Sequence, residues 1–148
     1  MISVIQRVQR ASVTVGGEII GEIQTGMLVL VAVHATDEDS DITWTARKLA
    51  SLRIFPHQGQ NFDRDVTEIG GAILLVSNFT VAAETAKGRR PSLGAAAAPE
   101  VGRVKFDQLL AAVRSLGVRT ETGRFGADMQ IALVNDGPVT FVLDSRGP

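Results

Sequence analysis

The chain has no cysteine. That absence excludes disulfides, thiolate catalysis and zinc-finger chemistry together, and it suits a cytoplasmic protein. Histidine is nearly as scarce, with only His34 and His57 present. Neither lies in a metal or nucleophile context, no H-E-x-x-H or G-x-S-x-G string occurs, and both read as a strand-end and a loop histidine. There is no glycine-rich phosphate loop, since Gly70-Gly71 precedes a strand rather than a helix. No segment approaches the roughly eighteen apolar residues of a membrane span, and the N-terminus lacks the charged start and cleavage site of a signal peptide. Excess charge is missing too: 15 basic against 16 acidic residues leave a net charge of −1. That is not the footprint of a protein that wraps nucleic acid non-specifically. The sixteen acids show no spacing that singles out a pair. A metal, a nucleotide cofactor and a standard triad are therefore not expected.

What is present suggests one domain over residues 1–148, long enough to bury a real core. Ile2, Val4 and Val8 alternate with Ser3 and Arg7 as an opening strand. A second short strand, Ser12 to Val15, meets Glu18 to Ile23 across Gly16-Gly17, a two-residue hairpin signal. Met27 to Val33 and Ala72 to Val76 are unbroken apolar runs, as in strands buried on both faces. Ile42, Ala46, Leu49 and Ala50 recur at helical spacing behind the acidic Asp37-Glu38-Asp39. Pro99-Glu100 opens a second helix that carries Phe106, Leu109, Leu110 and Val113 and stops at Gly117. Leu52 to Phe55 reads as a short strand, Asn61 to Gly71 as loop, and Ala82 to Pro99 as a long, functional loop. Late strands are expected at Val118 to Glu121, Met129 to Val134 and Val139 to Leu143. The pattern suggests an α+β fold with helices on one face of a β-layer.

Two strings carry candidate chemistry. Ser77-Asn78-Phe79-Thr80 sits where a strand ends. Its bland reading is a strand terminus whose hydroxyls satisfy local backbone; its functional reading is a set of freed N–H groups aimed at a developing oxyanion. Asn135-Asp136-Gly137-Pro138-Val139-Thr140 reads as a hairpin turn. Alternatively it is a backbone-built element, because X–Pro is the one common place for a cis bond and Gly lets backbone approach a ligand. Lys87-Gly88-Arg89-Arg90 concentrates positive charge, either as a solvated loop or as a small contact to an RNA phosphate backbone.

These strings, with Ile5-Gln6-Arg7-Val8, Arg53-Ile54-Phe55, Arg90-Pro91-Ser92 and Thr122-Gly123-Arg124-Phe125, occur in an order and spacing that resembles the D-aminoacyl-tRNA deacylases (the D-tyrosyl-tRNA deacylase family) over the full length. The resemblance implies a three-layer β/β/α homodimer with two interfacial sites. It also implies a cofactor-free hydrolase that cleaves the ester of D-aminoacyl-tRNA in translation quality control; if selection works by rejecting an L side chain, glycyl-tRNA, with no side chain to reject, is expected to be cleaved too. By the same resemblance, Gly137-Pro138 would be cis and serve as chirality filter in the neighbouring subunit, with Arg7, Asn78 and Asn135 in support. Ser77, Phe79 and Thr80 would form the catalytic segment, Phe79 and Thr80 through backbone N–H groups. Phe125 and Met129 would line the pocket for the terminal adenosine at the tRNA acceptor end. One departure is visible: Asn78 stands where the family has Gln. Thr80 matches as a candidate nucleophile, but no base lies beside it in sequence. Rival readings are a deacylase branch that edits a mischarged L-amino acid, and a catalytically silent RNA-binding module.

Overall fold

The computed structural model describes residues 1–147. Its framework is one long opening strand, β1 (Ile2–Val15), to which three others pair. β2 (Glu18–Ile23) returns along its second half through Gly16 and Gly17, whose φ values of 57° and 85° are the left-handed pair that a tight hairpin needs. β3 (Gly26–Ala32) pairs with its first half. The expected break before Ser12 is absent. Instead β1 changes its inward face at Arg7–Val8, where its pairing is irregular. Ile5 belongs to one core, and Val8, Ala11 and Val13 to another.

The chain then crosses over through α1 (Asp39–Ser51) and a small hairpin of β4 (Phe55–His57) and β5 (Gln60–Arg64) to reach β6 (Ala72–Ser77), parallel to β3. A second crossover leads through a 3-10 turn (Phe79–Ala82), a long loop and α2 (Pro99–Ser115) to β7 (Arg119–Thr122), parallel to β6. β8 (Gln130–Asp144) closes the chain antiparallel to β1. The sheet curls until β7 approaches β2: a Cβ on Gly21 would stand 2.5 Å from the Thr122 carbonyl oxygen.

The parallel strands β3 and β6 explain their unbroken apolar runs, because both of their faces are covered. Met27, Val29, Ile73 and Leu75 meet the helices, while Leu28, Ala72, Leu74 and Val76 fill the inside of the curl. On the helix side, α2 contributes Phe106, Leu109 and Val113, all buried. Each fully buried side chain of that size contributes about 1.5–3 kcal/mol. Pro99 sits in the first turn of α2, and the chain leaves the helix at Gly117 with φ 83°. Glu38 and Asp41 form a reciprocal capping box at the start of α1.

The α+β expectation stands, with four local corrections. β1 is one strand rather than two. The strand read over Leu52 to Phe55 begins only at Phe55. The first part of the stretch read as loop, from Asn61, belongs to the strand Gln60–Arg64; its residues are exposed or half-buried and show no apolar alternation to betray it. The two late strands Met129–Val134 and Val139–Leu143 are one strand, β8, and the presumed hairpin turn between them lies inside it. No helix among the described residues is long and apolar enough to cross a membrane.

Candidate active site

β6 delivers Ser77 to the rim of the sheet, and the strand ladder ends there. Asn78 N–H still donates to the Val31 carbonyl at 2.8 Å, after which the backbone tightens into the 3-10 turn. The first N–H groups of any such turn have no partner within it. Those of Phe79 and Thr80 find no acceptor among the described residues, whereas Val81 N–H returns to the Asn78 carbonyl. The strand terminus thus presents two consecutive free donors beside an exposed Phe79 ring. The Thr80 hydroxyl donates to Asn78 Oδ1 at 2.5 Å. An amide oxygen takes up no proton at neutral pH, so this contact orients the hydroxyl without activating it.

Ser77, Asn78 and Phe79 lie on the edge of a cavity of about 550 Å³. Val31 and Val76 form part of its floor, Phe125 and Met129 one wall, and Leu93, Ala96 and Ala97 of the long loop another. Thr122-Gly123-Arg124-Phe125 has a local reason for its glycine. A Cβ on Gly123 would lie 2.5 Å from Met129 Sδ, so a side chain there would push the Met129 thioether out of its present place on the wall. Gly102 of α2 lies against Phe125, whose Cζ would sit 3.3 Å from a Cβ there, so the glycine lets the ring rest close to the helix. The Arg103 guanidinium lies over the Phe125 ring, 4.9 Å from its centre. The sequence does not mark Leu93, Ala96, Ala97, Pro99 and Gly102 as residues of a site, although Pro99 is legible as a helix start. The glycine inside a helical pattern and the expected functional loop were the available signals.

The second string forms a blister on β8. Gln6 of β1 pairs with Thr140, and Val8 pairs with Asn135. Two steps along β1 therefore match five along β8, and the three surplus residues are set out of the ladder. Asp136, Gly137 and Pro138 fill that gap. The Gly137–Pro138 bond is cis, and Gly137 has φ 130°, a value that L side chains rarely adopt. Both residues are exposed. The base of the blister is tied tightly: Asn135 Nδ2 donates to the Arg7 and Val139 carbonyls at 3.0 Å each. Arg7 Nε donates to the Asp136 carbonyl at 3.2 Å and lies 3.1 Å from its carboxylate. Arg7 Nη1 reaches the buried Ile54 carbonyl at 2.7 Å, which gives Arg53-Ile54-Phe55 its place in the arrangement.

The structure therefore brings Ser77, Asn78, Phe79, Phe125 and Met129 to one cavity, and gathers Arg7, Asn135, Gly137 and Pro138 at another place. None of the second group lines the cavity of its own chain. Lys87, Arg89 and Arg90 are exposed on the long loop and do not line it either. Among the described residues they form no ion pair.

Comparison with known proteins converges on one family. The family model described as D-Tyr-tRNA(Tyr) deacylase matches residues 4–144. The D-aminoacyl-tRNA deacylase of Pelobacter propionicus is 51% identical, over 97% of this chain and 99% of that protein. Its counterpart from Chloroflexus aurantiacus is 50% identical, over 98% and 91%. Among solved structures, the c-Myc DNA unwinding element binding protein superposes with a TM-score of 0.94 at 36% identity, covering 99% of this chain and all of that one. A probable eukaryotic D-amino acid tRNA deacylase shares the fold, with a TM-score of 0.81 at 18% identity over 96% and 97%. The chain belongs to the D-aminoacyl-tRNA deacylase family.

Proposed function

We propose that this protein hydrolyses the ester of D-aminoacyl-tRNA, and of glycyl-tRNA, as a cytoplasmic homodimer whose two sites are each built from both subunits. The observation that carries the two-subunit site is the separation just described. The cavity holds donors and apolar walls, while the exposed Gly137–Pro138 blister, braced by Arg7 and Asn135, stands apart from it in the same chain. A rigid backbone knob and a cavity that do not meet within one chain are complementary between two. The outer edge of β8 carries exposed Phe141 and Val142, with Phe62 packed edge-on against Phe141 at 6.0 Å. Exposed apolar side chains on the two faces of an open strand edge suit burial against a second copy.

In this reading the terminal adenosine enters the cavity against Phe125 and Met129, placing the aminoacyl carbonyl at the free N–H groups of Phe79 and Thr80. Water attacks the carbonyl carbon, the N–H pair stabilises the oxyanion, and the ester C–O bond breaks with the proton passing to the ribose oxygen. One such donor is typically worth about 2.7–4 kcal/mol in the transition state. Thr80 contributes its backbone, because its hydroxyl is engaged with an amide rather than a base. Gly137–Pro138 of the second subunit occupies the space that an L side chain would need. Selection is then by exclusion, with no dedicated pocket for the D side chain.

Two experiments test this. A Gly137→Val/Pro138→Ala chain mixed with a chain damaged at Phe79-Thr80 restores one working site per heterodimer; verified mixed dimers without activity would make each subunit self-sufficient. At equal enzyme concentration, D-alanyl-tRNA and glycyl-tRNA are cleaved and L-alanyl-tRNA is spared. Robust cleavage of the L-alanyl ester overturns exclusion, as does an inert glycyl ester beside rapid D-alanyl turnover.

A further inference from the structure

The wall formed by Phe125 carries a cation that the site described above does not use. Arg103, on the exposed side of α2, lays its guanidinium over the ring, and its Nη2 donates to the Phe125 carbonyl at 3.5 Å. The same nitrogen would stand 3.9 Å from a Cβ on Gly126, so the group spans two consecutive residues of the cavity wall. Stacking on an aromatic face fixes a guanidinium while leaving its edge donors open. The acids nearest in sequence or on facing segments are Glu100 and Asp107 on α2 and Asp128 on the wall loop. None of them pairs with Arg103: the ion pairs among the described residues are Met1–Asp37, Arg7–Asp136 and Arg146–Asp37. The guanidinium is therefore held in place beside the cavity wall and, among the described residues, in no ion pair.

An adenosine seated in an apolar cavity must send its 5′ oxygen, and the phosphodiester that links it to the rest of the RNA, out over the rim. We infer that Arg103 binds that phosphate, the one joining the terminal adenosine to the preceding nucleotide. The inference rests on the seating of adenosine against Phe125 proposed above. Arg103 acts as a binding and registering residue: fixing the phosphate sets how deep the nucleoside sits, and hence where the ester carbonyl meets Phe79 and Thr80. This differs from the loop cations Lys87, Arg89 and Arg90, which do not touch the cavity wall.

Two minimal substrates separate the contributions: 3′-D-alanyl adenosine, and the same molecule carrying a 5′-methyl phosphate diester with a single negative charge. The wild-type protein is expected to cleave both, with KM about tenfold lower for the diester, the order expected of a part-exposed charge-assisted contact. Arg103→Gln is expected to cleave the uncharged nucleoside ester like wild type and to lose the preference for the diester. Arg103→Lys is expected to keep part of it. Because Arg103 is exposed, an unchanged thermal midpoint and unchanged nucleoside kinetics show that the variants fold and that Phe125 is undisturbed. Wild-type kinetics indifferent to the phosphate, alongside brisk nucleoside cleavage, overturn the Arg103 contact alone, as does a preference retained in Arg103→Gln. Failure of the wild-type protein to cleave the nucleoside ester while cleaving D-alanyl-tRNA overturns the seating of adenosine, and the Arg103 contact with it.

Discussion

Replacing Gly102 by Ala separates stability from substrate binding. Gly102 lies in the first part of α2, its N–H bonded to the Ala98 carbonyl at 2.8 Å, so its backbone is already helical. A Gly in a helix costs about 0.5–1 kcal/mol relative to Ala, because it has more freedom to lose on folding. Against that gain, the new Cβ meets Phe125 Cζ at 3.3 Å; its next neighbours, Phe125 Cε2 and Ala97 Cβ, stand at 3.9 and 4.0 Å. One contact is a few tenths of an ångström too short, and the atom responsible belongs to a half-buried ring with a cavity beside it. The ring can swing inward. Gly102→Ala should therefore keep or raise the thermal midpoint, by roughly 1–4 °C for a domain of this size. It should raise KM for D-aminoacyl-tRNA a few-fold and leave turnover at saturation nearly unchanged. Gly102→Val, with two further carbons against the same ring, should raise KM by about tenfold or more. The assays are thermal denaturation and steady-state deacylation on the same preparations. A stability loss above about 1 kcal/mol in Gly102→Ala would show that Phe125 cannot yield. An unchanged KM in Gly102→Val would place the nucleoside elsewhere.

Arg7→Met strips a charged donor from the buried Ile54 carbonyl, a loss of about 1.5–3 kcal/mol, and breaks the part-exposed Asp136 pair, worth about 1 kcal/mol or less. Denaturant unfolding should register the sum, and L-alanyl-tRNA should begin to be cleaved as the blister loosens; unaltered discrimination would refute the bracing role. Thr80→Val should retain deacylation within about tenfold, and Asn78→Gln should be mild. A drop of several orders of magnitude in folded, dimeric Thr80→Val would restore the hydroxyl as nucleophile. Neutralising Lys87, Arg89 and Arg90 together should raise KM and flatten its dependence on salt, with turnover at saturation kept; an identical salt series would return the segment to a solvated loop. His34 is held below its usual pKa by burial, then by Arg146 and the N-terminal ammonium, against the opposing pull of Asp37 and Asp144. The unfolded chain therefore binds its proton first, and stability should be full above pH ~6.5 and decline as pH falls through the lowered folded value. His34→Asn should reduce that slope in urea titrations at successive pH values.

The buried strands were the readable part of this chain. β3 and β6 announce themselves as unbroken apolar runs, because a parallel strand covered on both faces has no polar side to interrupt it. α1 and α2 carry both periodicity and punctuation. β5 was illegible for the opposite reason: a strand paired only in a small exposed hairpin needs no apolar alternation. Among the site residues, Ser77 to Thr80 could be placed because the end of an apolar run marks where N–H groups come free. The loop wall of the cavity could not. Leu93, Ala96 and Ala97 matter through where tertiary contacts put them, such as the Ala97 N–H bonded to the Val33 carbonyl. The two alanines record only that a small side chain is used there, and exposed Leu93 has no sequence neighbour that marks it as a wall. The Asp136–Gly137 pair gives the same signal for a hairpin as for a blister, and the choice between them depends on β1, more than a hundred residues earlier.

That choice has a mechanical consequence. A turn at the tip of a hairpin swings with its two arms, and any change in its length shifts the register of one arm against the other. The blister on β8 is instead suspended between two stretches that are each zipped independently to the same partner, Gln130 to Asn135 on one side and Thr140 to Asp144 on the other. Its position is thus referenced to the frame of β1 rather than to its neighbours in sequence. A residue added or removed between Asp136 and Pro138 would alter the height of the knob while leaving both flanks in register. The fold can therefore vary the reach of this element without disturbing the sheet that carries it.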